Sequence, residues 1–264
     1  GWNAVVIDGQ AGTAGRLGAV ARLVCIGSIV RIAGAPGVGG EDAFLSRLAR
    51  MTAPRTVLTE GLVELGIPGP GLAPDAAQVD QMLALLDLVA EWNGKFNLTA
   101  IREPLDMVRK HLLDSLTVQP WIQGPFVVDV GTGAGFPGLP LAIVNPKLRF
   151  TLIDSIAKKV RFVEHAARTL GLDHVQALQV RAENHRPEQK AATVVSRALA
   201  AVPTFVEQAG HLCARHGRLL AMKGRDPADE LRTLPRGWRV TSVEPLHVPG
   251  LDDQRHLAIL ERDP

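Results

Sequence analysis

A chain of 264 residues with 46% hydrophobic residues is long enough for one large α/β domain, or one domain with an appendage. A formal net charge of +2 permits a nucleic-acid partner without demanding one, because clustered charge marks such binders more than totals do. The two cysteines, Cys25 and Cys213, lie too far apart for a disulfide framework or a zinc site, and no metal site is expected.

Residues 1–50 differ from the rest. They hold ten of the 26 glycines and few acids. Leu23 to Val30 is apolar but is bounded by Arg22 and Arg31, and so short a run cannot cross a bilayer, which needs about 20 residues. A signal peptide would open on Met and a basic region, and neither is present. Residues 33–40 have the Gly/Pro pattern of a linker. The first methionine is Met51. The expectation is a flexible Gly/Ala-rich extension over 1–50, a working protein that begins near Met51, and a cytoplasmic location with no membrane contact.

Residues 51–124 are predicted to form a helical cap. Asp75 can cap a helix running to Trp92, with Val79, Met82, Leu83, Leu86, Val89 and Ala90 as its apolar stripe and Gly94 as its end. Lys95 to Ile101 reads as a loop or short strand. A second helix, from Pro104 to Leu116, places Leu105, Val108, Leu112 and Leu116 on one side and turns Arg109 and Lys110 away. Turn residues from Gln119 to Pro125 lead into the core, residues 125–264.

The core opens on a buried strand, Phe126-Val127-Val128-Asp129-Val130. A glycine cluster, Gly131-Thr132-Gly133-Ala134-Gly135, follows, and then an apolar run, Leu139 to Val144, that can be a helix. Strand, glycine turn and helix make the first unit of a nucleotide-binding α/β fold. The spacing is G-x-G-x-G, whereas a dinucleotide fold wants G-x-G-x-x-G. No Lys followed by Ser or Thr comes after it, which excludes a P-loop. Asp154 ends the next strand-like run about 20 residues on, where an acid can hold a ribose diol. The ligand therefore carries a ribose and needs no phosphate. S-adenosyl-L-methionine fits, and NAD is the alternative. A glycine turn without a ligand is the bland reading, against which strand, turn, helix and second-strand acid all agree.

A helix from Ser155 to Leu170 follows, closed by Gly171, with Ile156, Val160, Val163 and Ala167 inward and Lys158, Arg161, His165 and Arg168 on another face. Val175 to Val180 is the third strand, ending at Arg181-Ala182-Glu183. Thr193 to Ser196 is the fourth, followed by Arg197 and a helix from Pro203 to Ala214. Arg218 to Met222 is the fifth, ending at Lys223-Gly224. Arg239 to Val248 and His256 to Leu260 have no helix-length segment between them and should pair antiparallel. Five parallel crossovers and a terminal hairpin give a seven-stranded, mostly parallel, doubly wound sheet. The hairpin argues against NAD, whose fold uses two mononucleotide halves. It matches the Rossmann-like class I architecture of S-adenosylmethionine-dependent methyltransferases.

Several blocks carry a closer resemblance: Asn97-Leu98-Thr99-Ala100-Ile101, His111-Leu112-Leu113-Asp114-Ser115-Leu116, the run from Val128 to Gly138, Asp154-Ser155 with Lys158-Lys159-Val160-Arg161-Phe162, Arg181-Ala182-Glu183, Ser196-Arg197-Ala198 and Met222-Lys223-Gly224. In this order the chain resembles the bacterial RsmG family, also called glucose-inhibited division protein B, over about residues 55–262. The resemblance implies methylation of N7 of one guanine in 16S rRNA, with S-adenosyl-L-methionine as cofactor and 16S rRNA or the 30S subunit as partner. It also implies that Gly131, Phe136, Ala182, Glu183 and Arg197 sit where the family contacts the cofactor. The glycine loop and the ribose acid add Thr132, Gly133 and Asp154. Many relatives carry Leu where Phe136 stands and a different small residue at Ala182. Both contacts are read as backbone or packing.

Guanine N7 has a lone pair and no proton, so the transfer needs no base, and no catalytic side chain is assigned. Arg197 is expected at the boundary of cofactor and substrate, with an ion pair to a nearby acid as the plainer reading. The cations assigned to RNA are Arg109, Lys110, Lys147, Lys158, Lys159, Arg161 and Lys223, each of which alone reads as a solvated surface charge. With 4% aromatics and no Tyr, recognition of RNA shape is expected more than base stacking. His111, Asp114 and Ser115 on one helix do not read as a hydrolase triad, which needs partners from separate segments. A small-molecule methyltransferase and a non-enzymatic ribosome-binding factor remain as competing functions, and the protein is expected to be a monomer.

Overall fold

A computed structural model describes residues 21–25, 28–32, 52–69, 71–198 and 200–264. The chain divides into two compact units, Gly1–Met51 and Thr52–Pro264. In the first, β1 (Ala21–Cys25) and β2 (Ser28–Ile32) pair antiparallel, with Cys25 opposite Ser28. The other residues of the expected extension, including the linker pattern at 33–40 and the start at Met51, lie outside the described residues.

The second unit opens with helices. A helix over 52–64 (α1), not anticipated from the sequence, buries Leu58 and Leu62. Helix α2 (Ala76–Phe96) starts where predicted, with the Asp75 carboxylate accepting from Ala77 N at 2.9 Å. It runs past Trp92 and through Gly94 and stops at Asn97, whose φ of 48° closes it in the left-handed conformation. Leu85 is buried, Leu83 only partly so, and Ala90 is exposed.

The predicted second helix is one continuous rod, α3, made of Pro104–Met107, Val108–Leu113 and Asp114–Leu116. Its middle is wound as a π-helix, with Asp114 N donating to Arg109 O. The wider turn changes which side chains face inward. His111 to Val118 are all buried, and Arg109 and Lys110 are half-buried, not turned away as expected.

The sheet contains β3 (Phe126–Val130), β4 (Arg149–Asp154), β5 (Val175–Gln179), β6 (Ala191–Arg197), β7 (Cys213–Lys223), β8 (Trp238–Pro245) and β9 (His256–Arg262). Its order is β5-β4-β3-β6-β7-β9-β8. The strands β3 to β7 run parallel, and β9 is antiparallel to both its neighbours. This is the seven-stranded mixed sheet expected, although five parallel strands take four connections, not five. The link from β5 to β6 carries only the short turn Ala182–Asn184. The helices α4 (Gly138–Val144), α5 (Ala157–Thr169), α6 (Val202–Ala209) and α7 (Ala228–Leu231) fill four more connections, and the link from β8 to β9 has no helix. Helix α6 stops before Ala214, because β7 already begins at Cys213.

Alternation along the strands builds two cores. Val127, Leu152, Val195 and Leu220 join the side of α2, α3, α4 and α5, while Val128, Ile153, Val194 and Leu219 join the side of α6. Ile156 was expected inward but is 42% exposed, since α5 begins one residue after it. The strand order reverses between β3, with β4 beside it, and β6. In such sheets a crevice opens outside the carboxyl ends of the strands at that point.

Candidate functional site

The glycine turn sits at that crevice and is tied down from below. Asp129 points toward α4 and is fully buried. Its Oδ2 accepts from Thr132 Oγ1 at 2.6 Å and from Gly138 N at 2.9 Å, while its Oδ1 has no partner. Burial raises its pKa to about 6, against the pull of the Thr132 and Gly138 hydrogen bonds. The fit at Gly138 is close: a Cβ there would stand 2.7 Å from Asp129 Oδ2 and 2.6 Å from Leu152 Cγ. From above, Gly131 N and Thr132 N donate to Ile153 O at 2.8 and 3.0 Å, and Gly133 N donates to Asp154 Oδ2 at 3.0 Å. Gly131 and Gly133 take φ of 70° and 62°, a region that side-chain-bearing residues rarely adopt.

Two clefts lie at the carboxyl edge of the sheet, and the loop borders the first of them. The first, of about 170 Å³, is walled by Gly131, Asp154, Ser155, Ala182 and Glu183 among others. Asp154 is 6% exposed, and its Oδ1 accepts from Ile156 N at 2.9 Å. Lys159 Nζ lies 3.6 Å from its Oδ2. A carboxylate has about four acceptor positions, so Asp154 retains capacity for a hydroxyl. Four of the predicted cofactor residues, Gly131, Asp154, Ala182 and Glu183, therefore meet here. Gly133 joins through its backbone. The Thr132 hydroxyl is turned inward to Asp129, and Phe136 is 4% exposed behind the loop.

Arg197 lines the second cleft, of about 400 Å³, at the carboxyl ends of β6 and β7. Its Nη1 donates to Asp114 Oδ2 at 2.8 Å and to Lys110 O at 2.9 Å. The other oxygen of Asp114 accepts from Arg255 Nε at 2.9 Å. The Arg197 guanidinium stands over the Phe136 ring at 5.5 Å, and the His111 ring stacks on the same phenyl at 4.5 Å. Thr99 Oγ1 lies 3.0 Å from His111 Nε2. Burial, and next the Arg197 charge, lower the His111 pKa to about 4, which keeps the imidazole neutral near pH 7. Ser115 Oγ donates to His111 O. His111, Asp114 and Ser115 thus spend their bonds on different partners and form no triad, as the sequence argued.

The family described as GidB, rRNA small subunit methyltransferase G, matches residues 78–258. The chain belongs to the GidB family. It is 45% identical over 202 residues to Ribosomal RNA small subunit methyltransferase G of Marinobacter nauticus, covering 76% of this chain and 94% of that one. Against the protein of the same name in Nitrosococcus oceani it is 44% identical over 201 residues, covering 76% and 94%. Against the one in Escherichia coli (strain SMS-3-5 / SECEC) it is 41% identical over 191 residues, covering 72% and 92%. Among solved structures it is similar to TrmN from Thermus thermophilus, with a TM-score of 0.47 and 20% identity over 64% of this chain and 52% of that one, too loose a likeness to carry an argument.

The seven cations assigned to RNA do not form one patch in this GidB chain. Lys110 and Lys223 line the second cleft, but each is held by an acid, Asp106 and Glu230, at 2.9 Å. Lys158, Lys159 and Arg161 share α5; Lys158 Nζ donates to Phe96 O at 2.8 Å, and Arg161 is exposed, with no partner among the described residues. Arg109 packs beside Gly250 with its Nε buried and unpartnered. Lys147 precedes β4, and six strand residues at about 3.3 Å each put it roughly 20 Å from Asp154, at the opposite end of the sheet. Sequence reasoning missed Arg255 altogether, and it placed Asp114 in a matched family block and a rejected triad without naming its arginine partners. The available signal was a carboxylate set inside the apolar run Leu112 to Leu116. Among the described residues no group of His, Cys, Asp and Glu could hold a metal ion, and no helix is long and apolar enough to cross a membrane.

Proposed function

We propose that this chain transfers the methyl group of S-adenosylmethionine to N7 of a guanine in 16S rRNA, acting in the cytoplasm on the RNA or the 30S subunit. One arrangement carries the reading: a glycine loop braced by Asp129 borders a ribose-sized cleft ending in Asp154, and Phe136 behind that loop packs against Arg197 and His111 of a second, cation-bearing cleft. The residues of the first cleft suit the cofactor. A Cβ at Gly133 would meet nothing nearer than Gly131 O at 3.9 Å, so the loop backbone is open to close approach. Asp154 would take the ribose hydroxyls, and the Ala182–Glu183 turn would flank the adenine.

When bound, S-adenosylmethionine supplies an electrophilic methyl group on a sulfonium. The protein's own part is positioning. Because N7 carries no proton, nothing has to remove one, and the neutral, buried His111 serves as a packing surface for Phe136. Aligning a base with the loop and excluding water are the contributions left to the chain, and they are large ones. The second cleft sets four cations, Lys110, Arg197, Lys223 and Arg255, among apolar walls from Ile101, Met222 and Leu246, and the cations favour an anionic substrate such as RNA over a wholly apolar small molecule. The test is incubation with radiolabelled S-adenosylmethionine and either 16S rRNA or 30S subunits from a strain lacking this methylation. Label recovered as 7-methylguanosine supports the reading. Absence of label from both substrates, with the protein folded, refutes it.

A further inference from the structure

The end of α2 holds an aromatic ring partly outside the fold. Among the described residues the large apolar side chains left exposed are Val63, Leu72, Phe96 and Ile156, and Phe96 is the one aromatic of these, at 39%. A single exposed apolar residue is ordinary, but two that lie together invite a reason. Lys158 brings Phe96 and Ile156 near each other. It follows Ile156 by two residues in the first turn of α5, and its Nζ donates to Phe96 O at 2.8 Å. The Phe96 ring does not hang free. Its centroid lies 5.3 Å from that of Trp92, which the His165 ring meets at 5.2 Å and the buried Phe162 ring meets edge-on at 5.5 Å. Rings at such separations attract one another, so Trp92 sets the place of Phe96.

The chain on either side ties this ring to both clefts. Toward the first, Ile156 N donates to Asp154 Oδ1. Toward the second, the Asn93 side chain bonds Thr99 at both N and O, and Thr99 Oγ1 meets His111 Nε2. The three residues from Phe96 to Thr99 reach at most about 10 Å. Cations flank the ring: exposed Lys95 precedes it, and Arg161 lies one turn on from Lys158 on the same face of α5. Glu91 and Glu164, each about one turn from these cations, pair with none of them. An exposed ring beside cations that no acid holds suits an unstacked base and its phosphates better than an apolar peptide. Low aromatic content speaks against a row of platforms, but one base needs only one ring.

We propose that Phe96, backed by Trp92, is a stacking platform for a single-stranded base of the RNA substrate near the guanine that is methylated, with Lys158 and Arg161 meeting the adjoining phosphates. This rests on the chain acting on RNA. The full chain and its Phe96→Leu, Phe96→Trp and Arg161→Gln variants are compared by filter binding to unmethylated 16S rRNA across a salt series, and by calorimetry with S-adenosylhomocysteine. Phe96→Leu keeps an apolar side chain against Trp92 but offers no π-face, so RNA affinity should fall about tenfold with the salt slope unchanged. Phe96→Trp should bind RNA within about threefold of wild type, because any aromatic face serves. Arg161→Gln should flatten the slope of log affinity against log salt by about 0.7, the loss of one single-strand phosphate contact. Affinity for S-adenosylhomocysteine should stay within about twofold in all three. A Leu variant that binds RNA like wild type overturns the proposal. So does a Trp variant as weak as the Leu variant, since packing and not stacking would then be at stake, and so does a parallel loss of S-adenosylhomocysteine affinity. Should Phe96→Leu fail to fold, Arg161→Gln, changed at an exposed side chain, decides, and an unchanged slope overturns the proposal. A wild-type chain that binds no 16S rRNA would defeat the proposed function itself, whereas loss of the Leu–wild-type difference defeats this surface alone.

Discussion

Replacing Asp129 by Asn tests whether the carboxylate under the glycine loop costs the fold stability when it ionises. Its pKa rises from 3.8 to about 6 in the folded protein, chiefly through burial. An acid with a raised folded-state pKa binds its proton more tightly folded than unfolded, so its contribution to stability falls as pH rises. The loss begins near the unfolded value and is complete above the folded one. Over the whole window it amounts to about 3 kcal/mol, and to about 2 kcal/mol between roughly pH 4.5 and pH 7.5. The Asn side chain keeps an oxygen for Thr132 and Gly138 but never ionises. Relative to wild type, Asp129→Asn should therefore gain about 2 kcal/mol over that interval, or about 4–8 °C in Tm for a unit of this size. The absolute offset is set separately by the new amide N–H group at the unpartnered Oδ1 position, which costs about 1–3 kcal/mol. Urea or thermal denaturation of both proteins at four pH values measures the difference. A gap that stays constant with pH would show that Asp129 titrates normally, and the argument about its burial would fail.

Gly138→Ala should destabilise by about 1–3 kcal/mol, because the new Cβ overlaps Asp129 Oδ2 and Leu152. It should also weaken S-adenosylhomocysteine binding in calorimetry by loosening the loop, and an unperturbed Tm would contradict the packing. Arg197→Ala should lower methyl transfer to 16S rRNA about tenfold or more while the protein stays folded, since Arg255 still pairs with Asp114; wild-type turnover would remove Arg197 from the site. Cys213 is buried and its thiol is pushed up to about 12, so in the folded protein it should resist alkylation at pH 8 and react only on denaturation.

What the sequence disclosed was whatever a local pattern encodes. The apolar run before Gly131 could only be an inner strand, and Asp75 marked a helix start correctly to the residue. Helix α2 overran Gly94 because that glycine faces open space and costs only about 1 kcal/mol of propensity, while Asn97 supplies the left-handed close three residues later. Helix α1 escaped notice because its stripe is just Leu58 and Leu62, one turn long. The loop and first cleft were legible because their residues follow one another along β3 and β4. The second cleft was not. Asp114 and Arg255 are 141 positions apart, and no periodicity tells which distant charges will share a pocket. The same holds for Lys147, whose charge was visible but whose end of the sheet was not.

The last strand in chain order, β9, does not lie at the rim of the sheet but between β7 and β8. On a ribosome the chain emerges in order, so β7 and β8 are both made before the strand that joins them. A nascent chain short of His256 carries the apolar flank of Leu219 and Leu220 with one side unmatched, the kind of edge that recruits chaperones or a second copy. Arg255 immediately precedes β9, and His256 pairs with Lys223 across it. Closure of the sheet and delivery of Arg255 to Asp114 are thus one event. Translation cut short would yield a product that has the glycine turn and still lacks half of the arginine pair.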